Sequence, residues 1–118
     1  MEFVKWIDYK GKKILLSDLA KTGPADWPEI DSQYEENMKG MPDDSVLALV
    51  CVEDAHFDSE TIKKFKERAK KDAPYIKKTA VVGITGIKKV VYSSIMRFAG
   101  RDGKVFDDRE QAKEWLLE

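Results

Sequence analysis

The sequence predicts an α/β domain built on a mostly parallel sheet with one antiparallel hairpin. Three observations carry this. Two apolar runs, Ser45–Asp54 and Thr79–Thr85, are nearly unbroken, the pattern of strands buried on both faces. Stretches with the period of an amphipathic helix stand before, between and after them. Two β-leaning runs, Phe3–Tyr9 and Lys12–Leu19, meet at Lys10-Gly11, which suits a hairpin turn. The resulting order is ββαβαβαβα: a four- to five-stranded mixed sheet covered by helices, in a single domain spanning residues 1–118.

Each element has a local reason. After the hairpin, Pro28 suits the first turn of a helix, and Ile30, Tyr34 and Met38 recur on one face opposite Glu29, Glu35 and Glu36. Gly40 and Pro42 end that helix. Trp27, just before Pro28, reads as a loop residue open to solvent, whereas Trp6 and Trp115 read as core. The stretch from Asp58 to Pro74 is a helix capped by Asp58 or Ser59, with Ile62, Phe65 and Ala69 as its buried stripe. Gly86 to Gly100 predicts another helix, with Ile87, Val90, Val91, Ile95 and Phe98 inward. Lys104–Phe106 is a short strand. Residues 107–118 form the closing helix, in which Asp107 and Glu110 stand at capping-box spacing and Ala112, Trp115 and Leu116 face in.

Composition narrows the class. The chain has 42% hydrophobic and 36% charged residues, too apolar for a disordered protein. Its net charge of −1 hides a polarity. Residues 18–60 hold twelve acids against Lys21 and Lys39, and residues 77–104 hold seven bases against Asp102 alone. Opposite signs on two parts of one chain favour oriented partners over nucleic acid. The single cysteine, Cys51, excludes an internal disulfide and a thiolate-rich metal site. No apolar run is long enough for a signal peptide or a membrane span, so a cytoplasmic protein is expected.

One segment breaks a local rule. Gly83 and Gly86 flank the expected strand-to-helix turn, and Lys88 and Lys89 fall in the helix's first turn, where the free N–H groups already carry positive charge. An anion there reverses the sign, because it gains from the N–H groups and the lysines together. Gly83, Thr85, Gly86, Lys88 and Lys89 are therefore the candidate ligand-binding residues. The bland alternative is a tight turn beside two solvated lysines. The glycine pair lacks the remaining features of a Walker loop or a dinucleotide fingerprint. Further along, Lys89, Ser93, Arg97 and Arg101 recur at four-residue steps, with Tyr92 beside them, a candidate face for an acidic partner, including a second copy of the chain.

The words Tyr9–Leu19, Ser45–Val52 and Lys77–Leu116, above all Gly83, Gly86, Gly100-Arg101, Phe106-Asp107 and Trp115-Leu116, resemble the STAS/Sec14-type domain family, which includes the bacterial SpoIIAA-like, anti-sigma-factor-antagonist-like proteins. The resemblance covers nearly the whole chain and implies a small cytoplasmic module with no shared catalytic residues. In the better understood antagonists, a serine in an Asp-Ser-Ser-Gly pattern at a helix start is phosphorylated and switches partner binding. Here Asp58 and Ser59 match, while Glu60 and Thr61 depart, so the resemblance implies Ser59 as the phospho-switch position. From the residues alone, Asp58 and Ser59 are simply helix caps.

Other groups carry weaker chemistry. His56 lies near Glu53, Asp54 and Asp58, too few good ligands for a metal site. Cys51 sits in an apolar run, and Ser93 and Ser94 lack a neighbouring base. The expectation is a non-enzymatic regulatory or binding module without cofactor or metal. It recognises a protein partner or small anionic ligand at the strand C-terminal ends, a homodimer being one form of partnership. The alternative is a lipid or membrane-surface binding protein of Sec14-like type, without stable membrane anchoring.

Overall fold

The computed structural model describes residues 1–84 and 103–118. Five strands form one sheet: β1 (Val4–Tyr9), β2 (Lys12–Asp18), β3 (Val46–Cys51), β4 (Ile76–Val82) and β5 (Gly103–Phe106), side by side in sequence order. β1 and β2 are antiparallel, and every other neighbouring pair is parallel. Among the described residues three α-helices accompany them: α1 (Trp27–Met38), α2 (Ser59–Asp72) and α3 (Arg109–Leu116). The helix expected over 86–100 lies outside the described residues.

The hairpin turns on two residues, Lys10 (φ 48°) and Gly11 (φ 82°). Both are left-handed, as a two-residue turn matched to the strands' twist requires. β2, β3 and β4 then step in one direction through α1 and α2. Right-handed crossovers in one direction put both helices on one face of the sheet. The side chains alternate accordingly. Leu15, Val50 and Val81 pack with α1 and α2, while Ile14, Leu16, Leu49, Cys51, Ala80 and Val82 pack with Ala112 and Leu116 of α3.

Trp27 corrects a sequence expectation. It is the first residue of α1 and is 95% buried, its ring 5.2 Å from that of Phe65 on α2. Tyr34 and Phe57 meet the same Phe65 ring at 6.4 and 6.3 Å. An indole with an aromatic neighbour on the next helix gains more from this cluster than from solvent. The Tyr34 hydroxyl donates to Ser17 Oγ at 2.7 Å, so both polar groups are satisfied inside the core. The capping of α3 also differs from expectation: Asp108, not Asp107, is the cap, and its carboxylate accepts from the Glu110 N–H at 2.7 Å. The strands are shifted too. β3 stops at Cys51, and β4 begins at Ile76 and stops at Val82, which leaves Gly83 just beyond the sheet. Trp6, Trp115 and Ile62 are only partly buried.

Candidate binding site

The carboxyl ends of the parallel strands share one edge of the fold. There β2 ends in Asp18, Glu53 lies two residues beyond β3, Gly83 follows β4, and Arg109 opens α3 shortly after β5. Arg109 draws these ends together. Its Nε and Nη2 donate to the two Glu53 carboxylate oxygens at 3.0 and 3.2 Å. Its Nη2 and Nη1 donate to the Asp18 oxygens at 3.1 and 3.4 Å. One planar guanidinium thus serves two carboxylates, the geometry for which arginine is suited. The hydrogen bonds to Glu53, and then to Asp18, hold Arg109 firmly protonated against the opposing effect of burial. About a third of its side chain stays exposed (35%), so the cluster is a surface platform, not a core ion pair.

Backbone bonds tie the loops of this platform. Leu19 N–H donates to the Cys51 carbonyl at 2.8 Å, Lys21 N–H to Glu53 at 2.9 Å, and Val52 N–H to Val82 at 2.9 Å. Cys51 lies buried beneath, and burial pushes its thiol up to about 12. A thiol that far from ionisation is packing, not a nucleophile.

Gly83 has a specific reason to be glycine. Its φ is +91°, and a Cβ there would lie 2.5 Å from Glu53 Cγ and 2.7 Å from the Glu53 nitrogen. The close approach that the sequence suggested for an anion is made, in this structure, by Glu53. Thr85, Gly86, Lys88 and Lys89, and the partner face of Lys89, Tyr92, Arg97 and Arg101, lie outside the described residues.

Ser59 is the first residue of α2 and is exposed. The cap itself is Asp58, whose carboxylate accepts from the Thr61 N–H at 2.8 Å. Hydrogen bonding from the Thr61 hydroxyl, and then from its N–H, holds the Asp58 carboxyl below its ordinary range. Ser59 is therefore free of the capping duty. His56 is exposed, and its backbone N–H donates to Thr22 O at 2.9 Å. Among the described residues, no group of three or more His, Cys, Asp or Glu could hold a metal ion.

A second polar cluster went unseen in the sequence. Arg68 of α2 is 92% buried, with Nε on Asp31 at 2.8 Å and Nη1 on Glu35 and Asp72 at 2.9 and 3.2 Å. Burial disfavours its charge, but the bonds to Asp31 and Glu35 and the charge of Asp72 outweigh that and hold the proton on. Lys71 also reaches Glu35, at 2.8 Å. Beside this cluster, between α1 and α2, lies an open cleft of about 830 Å³. The missed signals are legible in hindsight. Arg68 and Asp72 continue the stripe of Phe65 at helical spacing. Arg109 is a cation in the first turn of a helix, the same departure from the dipole rule that the sequence raises at Lys88 and Lys89.

A five-stranded mixed sheet with helices on both faces and a polar platform at its strand ends describes an α/β domain of SpoIIAA-like fold. Among solved structures, the chain is similar to an uncharacterised protein of the DUF3478 family with a SpoIIAA-like fold from Shewanella loihica PV-4. The TM-score is 0.79 at 16% sequence identity, over 96% of this chain and 91% of that one. Identity this low carries the fold alone. No protein-family model matches the chain, and no curated protein does. Among the described residues no helix is long and apolar enough to cross a membrane.

Proposed function

We propose that the chain is a non-enzymatic binding or regulatory module of the cytoplasm, which takes a protein partner or a small anionic ligand at the C-terminal ends of its strands. The observation that supports this reading is the Arg109 platform: a charged arginine a third exposed, held in place by Glu53 and Asp18 where the ends of β2, β3 and β4 converge. Open α/β sheets use that edge for ligands. The groups beside it suit binding more than chemistry. Cys51 is buried with its thiol at about 12, and Glu53 is committed to the guanidinium. Lys88 and Lys89, which the sequence puts at the next helix start, would add the charge that turns the platform towards an anion. Ser59 would be the position at which phosphorylation alters a partner's access.

The test is thermal unfolding with a panel of phosphate, nucleotides and short-chain phospholipids, on the natural chain and on Lys88→Glu/Lys89→Glu. A ligand at 100 times its Kd stabilises by about 2.7 kcal/mol, a shift of several degrees in a domain of this size. A shift that disappears in the double variant supports the reading. A flat panel removes the anion and leaves the protein partner. Flotation with anionic vesicles separates a lipid surface, the alternative, from a free anion.

A further inference from the structure

We propose that the cleft between α1 and α2 binds a neutral ligand with neighbouring hydroxyls, a sugar, held by Arg68 at its floor and by Asp31 and Glu35 at its rim. This site is separate from the strand ends and does not depend on the function proposed for them. A guanidinium has five N–H donors, one on Nε and two on each terminal nitrogen. In Arg68 the Nε donor goes to Asp31 Oδ1 at 2.8 Å, and Nη1 donates to Glu35 Oε2 at 2.9 Å and Asp72 Oδ1 at 3.2 Å. Among the described residues, nothing accepts from Nη2. The side chain is only 8% exposed, and a donor so deeply placed normally has a partner. Nη2 is not sealed inside the protein either. Among the described residues, the one fully buried side-chain polar atom without a partner is the Thr79 hydroxyl. The two donors of Nη2 therefore open to the cleft of about 830 Å³ that Arg68 lines.

The acceptors beside it are half used. Asp31 engages Arg68 through Oδ1 alone, and Glu35 meets both Arg68 and Lys71 through Oε2 alone. Among the described residues, nothing donates to Asp31 Oδ2 or Glu35 Oε1, whose side chains are 44% and 58% exposed. Spare donors at the floor and spare acceptors at the rim thus stand around one guanidinium.

Charge narrows the ligand. The lining carries four carboxylates and three cations, so the cleft has no strong field of either sign. An anion on Nη2 would lie against Asp31 and Glu35. A cation on those carboxylates would lie against Arg68 and Lys71. A hydroxyl accepts and donates at once, so neighbouring hydroxyls take the Nη2 donors and return hydrogen bonds to the two carboxylates. Each of those bonds has a charged partner, which makes it stronger than a neutral one. Tyr75, partly buried, lines the same cleft and adds an apolar ring for the carbon-bound side of a sugar. Past Arg68 the cleft continues into a hollow of about 400 Å³ beside Trp27, room for more than one sugar unit.

The test is a heteronuclear NMR titration of the natural chain with glucose, maltotriose and chitotriose at millimolar concentration. At least one of these sugars should shift the backbone signals of Ser32, Gly40 and Lys71 saturably and leave those of Asp18 and Glu53 in place. The fully O-methylated form of that sugar should not, because methylation removes the O–H donors and keeps the oxygens. Asp31→Asn/Glu35→Gln preserves the size of both side chains and should weaken binding about tenfold. Circular dichroism checks that this variant folds, and the methylated probe decides the matter on the natural chain if it does not. Lys88→Glu/Lys89→Glu should bind the sugar unchanged, which keeps this site distinct from the strand ends. The proposal is overturned if no sugar shifts the cleft signals, if the methylated form shifts them equally, or if the folded Asp31→Asn/Glu35→Gln variant binds as tightly as the natural chain. Cleft shifts with glycinamide or inorganic phosphate instead of the sugars would overturn it too, and would assign the cleft to peptide amides or to anions.

Discussion

Arg109, at the start of α3, grips both carboxylate oxygens of Glu53 across 56 residues of sequence, at 3.0 and 3.2 Å. A cation at a helix start is normally disfavoured. Here the protein supplies its own anions, Asp18 at the end of β2 and Glu53 in the turn just beyond β3. Replacement of Arg109 by Met leaves those two carboxylates side by side without a countercharge. The expected cost is about 1–2 kcal/mol, limited because the cluster is partly solvated. The triple variant Asp18→Asn/Glu53→Gln/Arg109→Met should recover most of it in urea unfolding. No recovery would mean that Arg109 acts through packing.

Gly83 should tolerate no side chain. An alanine there would carry a left-handed φ of +91° and a Cβ 2.5 Å from Glu53 Cγ, with Glu53 backbone almost as near. Backbone cannot step aside as a side chain tip can. Gly83→Ala should cost roughly 2–3 kcal/mol. An unchanged urea midpoint would show that the Glu53 turn is able to yield.

The buried arginine should matter more than the exposed one. Arg68→Met leaves Asp72, itself 3% exposed, buried beside Asp31 and Glu35 without their shared cation. Breaking a buried pair from one side costs about 3–5 kcal/mol, and Arg68→Met/Asp72→Leu should cost less than Arg68→Met alone. Equal losses in the single and double variants would assign the effect to packing.

Acid should weaken the fold through identifiable carboxylates. Asp58 is held below its ordinary value of 3.8 by the Thr61 hydroxyl and N–H. Glu35 is held below 4.5 by Lys71 and then Arg68, and Glu114 by Lys10 and then Tyr9. A carboxyl with a lower pKa folded than unfolded contributes its stability above the unfolded value and loses it as pH falls through the folded one. The Tm should therefore be steady above the ordinary carboxylate range and fall below it. In Asp58→Asn the acid limb should be shallower. Parallel curves for the two proteins would remove the Thr61 contact from the explanation.

Cys51 should be silent until the chain unfolds. With its thiol at about 12 and no solvent access, the reactive thiolate is scarce at neutral pH. Labelling with a thiol reagent should be slow in the native protein and fast in denaturant. Rapid native labelling would reveal an opening at the ends of β2 and β3.

Much of the architecture is local and was legible without coordinates. Alternation, apolar runs and helical spacing are properties of neighbouring residues, so the hairpin at Lys10-Gly11, the buried β3 and β4 and a cap at Asp58 or Ser59 follow from short stretches of chain, and the structure chooses Asp58. The same local signals misplaced Trp27, since nothing near it in sequence announces Phe65 on another helix. They chose Asp107 over Asp108 because capping-box spacing does not say which backbone turns first. Only the tertiary structure decided which charges meet. Arg109 finds Asp18 and Glu53, and Arg68 finds Asp31 and Glu35, across dozens of residues, and Gly83 is glycine because Glu53 passes over it. Local pattern determines what each segment can become. The pairing of distant side chains depends on how the sheet orders its strands, and no window of sequence contains that order.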